Sequence, residues 1–421
     1  VASSAVARRT IAYDEARERV LAAAKPLPPE QVPLAEAIGR PLRSAVVARH
    51  PLPPFRNSAV DGVAVRSEDL AGAGGGRPAT LTVVETIAAG RVASRTLAAG
   101  EAMRIMTGAM LPEGADAVLP VEEIELDAGP GGEIVRSARP AAAGENVRDA
   151  GLDLAAGAVA VEAGRALTPH DLALLAALGE ARPTVGRRPH VAVLSTGDEL
   201  LPPEAALTPG AIRDSNLTML AALLEECGAR VVSAKRVADD PAAVGAALRS
   251  ALGMADVVIT IGGVSAGDFD PIKQWVNDRE AIELWRVTMR PGQPQAFGVH
   301  EGRLFFGLPG NPASVACVFE ALVRPALRKL QGYAALDRPR VPVRAAVEIA
   351  SAEGRTDFVR VTLARRDDAW WAEPAGAQVS GHVAPQSRAH ALLVIPASAV
   401  RLAPGDPAEA LLLRWPDAGA A

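Results

Sequence analysis

Apolar and polar positions follow different rhythms along the 421-residue chain, and each rhythm predicts a different kind of unit. In residues 10–25 (TIAYDEARERVLAAAK), Ile11, Ala16, Val20 and Leu21 recur at helical spacing, and Pro26 closes the helix. VPLAEAIGRPLRSAVVA then reads as a short helix and a strand. From about residue 45 to 147 the pattern shortens to β-like pieces (GVAV, LTVVET, AMRIM, AVLPVEEIEL, GEIVRSA) between Gly and Pro clusters, with a flexible tip expected at GAGGGRP. Helical spacing returns within 148–182 in TPHDLALLAALG, where Thr168 is the expected cap and Pro169 the first helical residue.

From residue 186 apolar strands alternate with helices. HVAVLSTG, ARVVSAKRV, ADVVITIGG and RLFFGLPGNP read as strands, with helices through SNLTMLAALLEECG, after Pro241, from Pro271 and on to about Leu330. Continuous apolar strands between helices predict a parallel sheet covered on both faces. After Gly332, five further apolar pieces predict a small β-barrel-like or sandwich unit. The expected fold class is therefore multidomain α/β and β. Its units are a helical or mixed N-terminal domain (1–44 with 148–182), an inserted β-rich domain (45–147), a central α/β parallel-sheet domain (183–333) and a C-terminal β domain (337–416).

Bulk numbers narrow the function classes. A chain this long implies two to four domains, and 49% hydrophobic with 22% charged residues fits a globular protein. A net charge of −5 and 3% aromatic residues argue against a nucleic-acid partner. No apolar run is long enough for a membrane helix, and the opening stretch lacks the apolar core of a secretory signal. Only Cys227 and Cys317 occur, with no C-x-x-C, so neither a disulfide framework nor a thiolate zinc site is expected and a cytoplasmic setting is.

Ligands of an open parallel sheet gather at the carboxyl ends of its strands. Here those ends carry STGDEL, VADDP, GGVSAGDFD and GLPGNP. Small-residue loops feeding helix N-termini suit a phosphate. The neighbouring acids would repel it unless a divalent cation sits between, as Mg²⁺ does with one or two carboxylates and phosphate oxygens. Singly, each loop also has a plainer reading: Asp239 or Asp270 as a helix cap, Glu199 as a solvated charge, Asn311 and Pro312 as the start of a helix. GVSAG also spells a hydrolase nucleophile elbow at Ser265, but Asp268 and Asp270 stand immediately beyond it, and negative charge there opposes the oxyanion such a serine must generate.

Taken together, STGDEL, RDSN, GGVSAGDFD, RPGQP and GLPGNP resemble in order and spacing the MoeA family of molybdopterin molybdenumtransferases, which includes the gephyrin E domain. FRNSAVDGVAV, RIMTGAMLPEGADAV and GENVRDAGLDL extend the resemblance over nearly the whole chain. It implies four domains and a homodimer with the active site between subunits. The implied activity is insertion of molybdate into adenylylated molybdopterin with release of AMP, assisted by Mg²⁺ or another divalent metal. By position, it places pterin- and nucleotide-binding loops at Gly262, Gly263, Ser265, Gly267, Pro309, Gly310, Asn311 and Pro312. Acidic, metal-holding positions fall at Glu199, Asp239 and Asp270, and Asp61 with Thr107 would reach the partner subunit's site. Arg286 and Arg290 would supply charge for catalysis, and Arg360 and Ser380 fall near the implied molybdate pocket.

The chain departs from the family pattern at Arg56, Val60, Val63, Leu152, Ala384 and Pro385, and Gln293 stands where a third lysine is usual. Two further readings of the same residues are a molybdopterin-binding carrier or scaffold and a molybdopterin adenylyltransferase, which shares the α/β unit. Transient contact with such an adenylyltransferase is the expected partner interaction, beside small-molecule substrates.

Overall fold

The structure is a computed structural model describing residues 9–129, 132–264, 271–277, 279 and 281–416. Its centre is a seven-stranded sheet built from β1 (Arg9–Ile11), β2 (His190–Thr196), β3 (Arg230–Val237), β4 (Val257–Ile261), β5 (Ile282–Val287), β7 (Pro294–His300) and β8 (Arg303–Leu308), with β6 (Met289–Arg290) standing outside it. The order across the sheet is β1-β5-β7-β8-β4-β2-β3. The four strands read from the apolar runs, β2, β3, β4 and β8, are mutually parallel as expected. The sheet as a whole is mixed rather than parallel, because β7 runs antiparallel to both β5 and β8. The RPGQP connection between β5 and β7 is too short to hold the crossover that a parallel pair requires.

Both faces of the sheet are covered. Ala192 and Leu194 of β2 and Phe305 of β8 pack with Val244 and Leu248 of the helix Pro241–Met254. On the other face Val191, Val193, Val257 and Ile259 pack with Leu220, Phe319 and Leu327. The same core takes in Ile11, Ala16 and Val20 from the N-terminus and Phe358, Leu392 and Leu411 from the C-terminal unit. Residues 10–25 are thus not one helix: Arg9–Ile11 pairs with β5 as a parallel strand, and the helix runs over Tyr13–Ala23. Ile11 is buried against the sheet edge, which outweighs its fit to the helical spacing.

The inserted unit is a six-stranded sheet in the order Ala117–Pro120, Gly62–Val65, Glu101–Ile105, Ala79–Ile87, Gly132–Ser137, Glu125–Gly129, with an apolar cluster on each face. In the N-terminal unit the helix Pro169–Ala177 starts as expected, with Thr168 and Asp171 forming a reciprocal capping box. At the C-terminus, Arg340–Ala345, β9 (Thr356–Arg366), Ala369–Pro374, Ala391–Ile395 and Pro407–Leu412 close into a small barrel, and β6 adds to it beside β9. Among the described residues no helix is long and apolar enough to cross a membrane.

Phe305 is fully buried and stacks on Trp275 with ring centroids 5.6 Å apart. Phe305→Ala should cost about 3–5 kcal/mol, seen as an earlier urea transition in tryptophan fluorescence. A midpoint equal to the parent's would contradict this packing.

Candidate active site

Strand order reverses direction at β2, with β3 on one side and β4 on the other. At that switch point the carboxyl ends of β2 and β4 diverge and leave a crevice. A cleft of about 570 Å³ lies there, lined by Ser195 and Thr196 at the end of β2, Gly262 after β4, and Glu199, Arg213, Asp214 and Asn216. Gly262 has φ +90°, and a Cβ there would come within 3.2 Å of the Thr196 carbonyl oxygen, so the turn requires glycine. Gly263 continues it at φ +75°.

A second cleft of about 590 Å³ opens beside the first, lined by Arg290, Gln293, Pro309, Ser380 and Arg355. Gly310 and Asn311 line both clefts, so the GLPGNP loop is the ridge between them, and Pro312 faces the first. Three bonds hold this ridge. Asn216 Nδ2 donates to the Gly310 carbonyl at 2.6 Å, Asn311 Nδ2 donates to Ser380 Oγ at 3.1 Å, and the Ala313 N–H donates to the Ser380 carbonyl at 3.0 Å. Asn311 does occupy the cap position of the helix Pro312–Val318, yet its side chain makes no capping bond and serves Ser380 instead.

The acids divide by role. Asp240, not Asp239, caps the helix Pro241–Met254, accepting from the Ala243 N–H at 2.7 Å. Asp239 is thereby released from the plainer reading, and its N–H donates to Asp198 Oδ1 at 3.1 Å, tying the ends of β3 and β2. Glu199 lines the first cleft. Ser265, Gly267 and Asp270 lie outside the described residues. Among the described residues no three His, Cys, Asp or Glu side chains converge as a metal set. The oxygen donors of Asp198, Glu199 and Asp239 at adjoining strand ends are nonetheless of the chemistry that Mg²⁺ takes, one or two carboxylates completed by water and phosphate.

The cations come from the junction with the barrel. Arg290 on β6 pairs in register with Asp357 on β9. Asp357, 2% exposed, accepts Arg355 Nε at 2.6 Å and Nη2 at 3.1 Å, fixing the guanidinium that lines the second cleft. Arg355 was not anticipated from the sequence, although its i, i+2 spacing to Asp357 beside a strand is a readable sign that both share a face. Arg360 lines neither cleft and is 2% exposed. Arg286 is exposed on β5 and lines neither cleft as well.

Asp61 and Thr107 stand on the inserted unit, outside both clefts of this chain. Thr107 donates to Asp61 Oδ1 from its N–H at 2.6 Å and from its hydroxyl at 2.8 Å. Met106 beside them and Phe55 and Met110 nearby in the same unit are 39%, 37% and 37% exposed. Of the departures from the family pattern, Val63 is buried in the inserted unit's core, Val60 packs against it and Leu152 is 69% exposed, whereas Gln293 stands in the cationic cleft.

Three family models match the chain in succession: the MoeA N-terminal region (domain I and II) over residues 11–179, a probable molybdopterin binding domain over 192–329, and the MoeA C-terminal region (domain IV) over 342–413. Molybdopterin molybdenumtransferase 2 of Mycobacterium tuberculosis is 40% identical over 386 residues, covering 90% of this chain and 93% of the relative. The molybdopterin molybdenumtransferase of Haemophilus influenzae is 38% identical over 352 residues, covering 83% and 85%. Two structures of the molybdopterin biosynthesis MoeA protein from Pyrococcus horikoshii superpose with TM-scores of 0.83 and 0.79 at 30% and 29% identity, spanning 97% and 96% of this chain and all of theirs.

The two bonds from Thr107, the backbone one first, hold the Asp61 carboxyl below its ordinary range. A lowered carboxyl pKa makes the contact present at neutral pH and lost as pH falls through that lowered value. Thr107→Val removes the hydroxyl donor and should raise the Asp61 pKa toward the ordinary value of about 4. Carboxyl NMR titration measures this, and an unmoved pKa would refute the hydroxyl bond.

Proposed function

The chain belongs to the MoeA family of molybdopterin molybdenumtransferases, and from that membership we propose that it inserts molybdate into adenylylated molybdopterin and releases AMP. The observation carrying this reading is the pair of clefts meeting at Gly310 and Asn311, one lined by Arg290 and Arg355 and the other by Glu199 and Asp214 with Arg213 beside them. An oxyanion and a nucleotide-bearing pterin can then lie on either side of one uncharged ridge.

In this mechanism Arg290 and Arg355 draw molybdate into the second cleft and offset charge as AMP leaves. Arginine suits the task because its fork of N–H donors matches tetrahedral oxyanions. Ser380 and Asn311 orient the same ligand from the ridge. Glu199 and Asp239, with Asp270, would hold Mg²⁺, which when bound neutralises charge on the pyrophosphate. Rate enhancement comes from positioning and electrostatics, with no covalent protein intermediate.

A homodimer belongs to the same proposal. The exposed Asp61–Thr107 pair lies outside this chain's clefts, and the solvent-facing Phe55, Met106 and Met110 support a second copy as its destination. Arg286, the four-domain boundaries, transient contact with an adenylyltransferase and a cytoplasmic setting complete the reading. The setting is supported by Cys227 and Cys317 being buried and not joined in a disulfide.

Incubation with adenylylated molybdopterin, molybdate and Mg²⁺ should release AMP. Asp239→Asn, Asp270→Ala and Arg355→Met should each lower that rate roughly 100-fold or more, whereas Asp240→Asn, which alters only a cap, should leave it within a few-fold. Retained substrate binding with no AMP release would favour a carrier instead. ATP consumption with free molybdopterin would favour the adenylyltransferase.

A further inference from the structure

Arg360 is a buried cation whose partners are all uncharged. Its Nη1 donates to the His382 carbonyl at 3.2 Å, and its Nη2 to those of Val379 at 3.2 Å and Ala377 at 3.3 Å. Its Nε donates to Gln378 Oε1 at 3.2 Å, and Gln378 Nε2 returns a bond to the Arg360 carbonyl at 3.1 Å. Burial pushes its pKa down, yet arginine stays charged in proteins. An apolar side chain would fill this space with no charge to satisfy. What only the guanidinium supplies is a planar fork that holds several carbonyls at set spacings.

Those carbonyls belong to a particular turn. Val379 and His382 are its ends, joined by the His382 N–H donating to the Val379 carbonyl at 3.2 Å. Its tip is Ser380, which lines the cationic cleft, and Gly381, which lines the other. Ser380 takes both bonds from the ridge, from Asn311 Nδ2 at 3.1 Å and from the Ala313 N–H at 3.0 Å.

We propose that Arg360 is a positioning residue that clamps the 379–382 turn, so that Ser380 and Gly381 complete the partition between the two clefts, and that it acts on the oxyanion through Ser380 rather than by contact. The turn comes from the barrel and the ridge from the α/β unit, so the clamp sets how the two meet at the site. The part concerning molybdate rests on the function proposed above; the clamp itself does not.

Arg360→Lys, Ser380→Ala and the double variant test it in the full-length protein with two readouts. Hydrogen exchange should accelerate at the Ala313 and His382 amides in Arg360→Lys, with thermal unfolding close to the parent's. The KM for molybdate in AMP release should rise about tenfold with a smaller change in kcat, and Ser380→Ala should add little to it in the double variant. A purely structural role would lower the active fraction without moving KM. Unchanged exchange at both amides, an unchanged KM, or fully multiplicative effects in the double variant would each overturn the proposal. Should Arg360→Lys fail to fold, Gln378→Ala, which removes the Nε acceptor but keeps the arginine, decides by the same criteria. If the parent itself releases no AMP, the functional reading fails, and exchange still judges the clamp.

Discussion

The carbonyl of Gly310 and the hydroxyl of Ser380 are the points on which the site depends. Asn216 reaches the first from the helix after β2, and Asn311 reaches the second across to the barrel. A loop of this composition, Pro-Gly-Asn-Pro, has few backbone N–H groups with which to brace itself. Side-chain amides from two directions supply the bracing. Because the amide nitrogen of Asn216 must face a carbonyl that only accepts, the orientation of that residue is set as well. With the ridge held, the clefts on its two sides have fixed widths.

Charge is sorted by the same geometry. Glu199, Asp198 and Asp239 sit at the ends of β2 and β3, with Arg213 also lining the first cleft, whereas Arg290 and Arg355 come from the seam between β6 and β9. Opposite charges in direct contact would neutralise one another and leave little field for a ligand. Here uncharged residues, Gly310, Asn311 and Ser380, stand between. Arg355 is the exception: its ion pair with buried Asp357 sets its direction and offsets much of its charge, so that it offers the cleft placed N–H donors.

Such a seam needs units that do not slide. One apolar core joins the N-terminal helix, a face of the sheet and the barrel, with Tyr13 edge-on to Phe358 at 5.2 Å. Buried Glu320 adds a two-bond pair to Arg338, at 3.0 and 2.9 Å, where the α/β unit hands over to the barrel. Close packing transmits position, so a residue such as Ile11, far from the clefts in sequence and chemistry, contributes to their shape.

Local rules written in the sequence decided a great deal. The four parallel strands, the Thr168–Asp171 capping box and the glycine turn at Gly262 follow from periodicity, capping chemistry and the need for positive φ, all of which act within a few residues. The strand-end loops that carry Glu199, Asp239 and the GLPGNP ridge were legible for the same reason, since a parallel sheet sends its chemistry to one edge. Ile11 as a strand, Arg355 in the cleft and Arg360 bound to the 379–382 turn were decided by tertiary structure. Each depends on what the folded chain brings against it from far along the sequence. In β9 and the turn it supports, burial gave Arg360 to the backbone of the 379–382 turn and left Arg355 at the surface, a choice between two arginines that only packing could make.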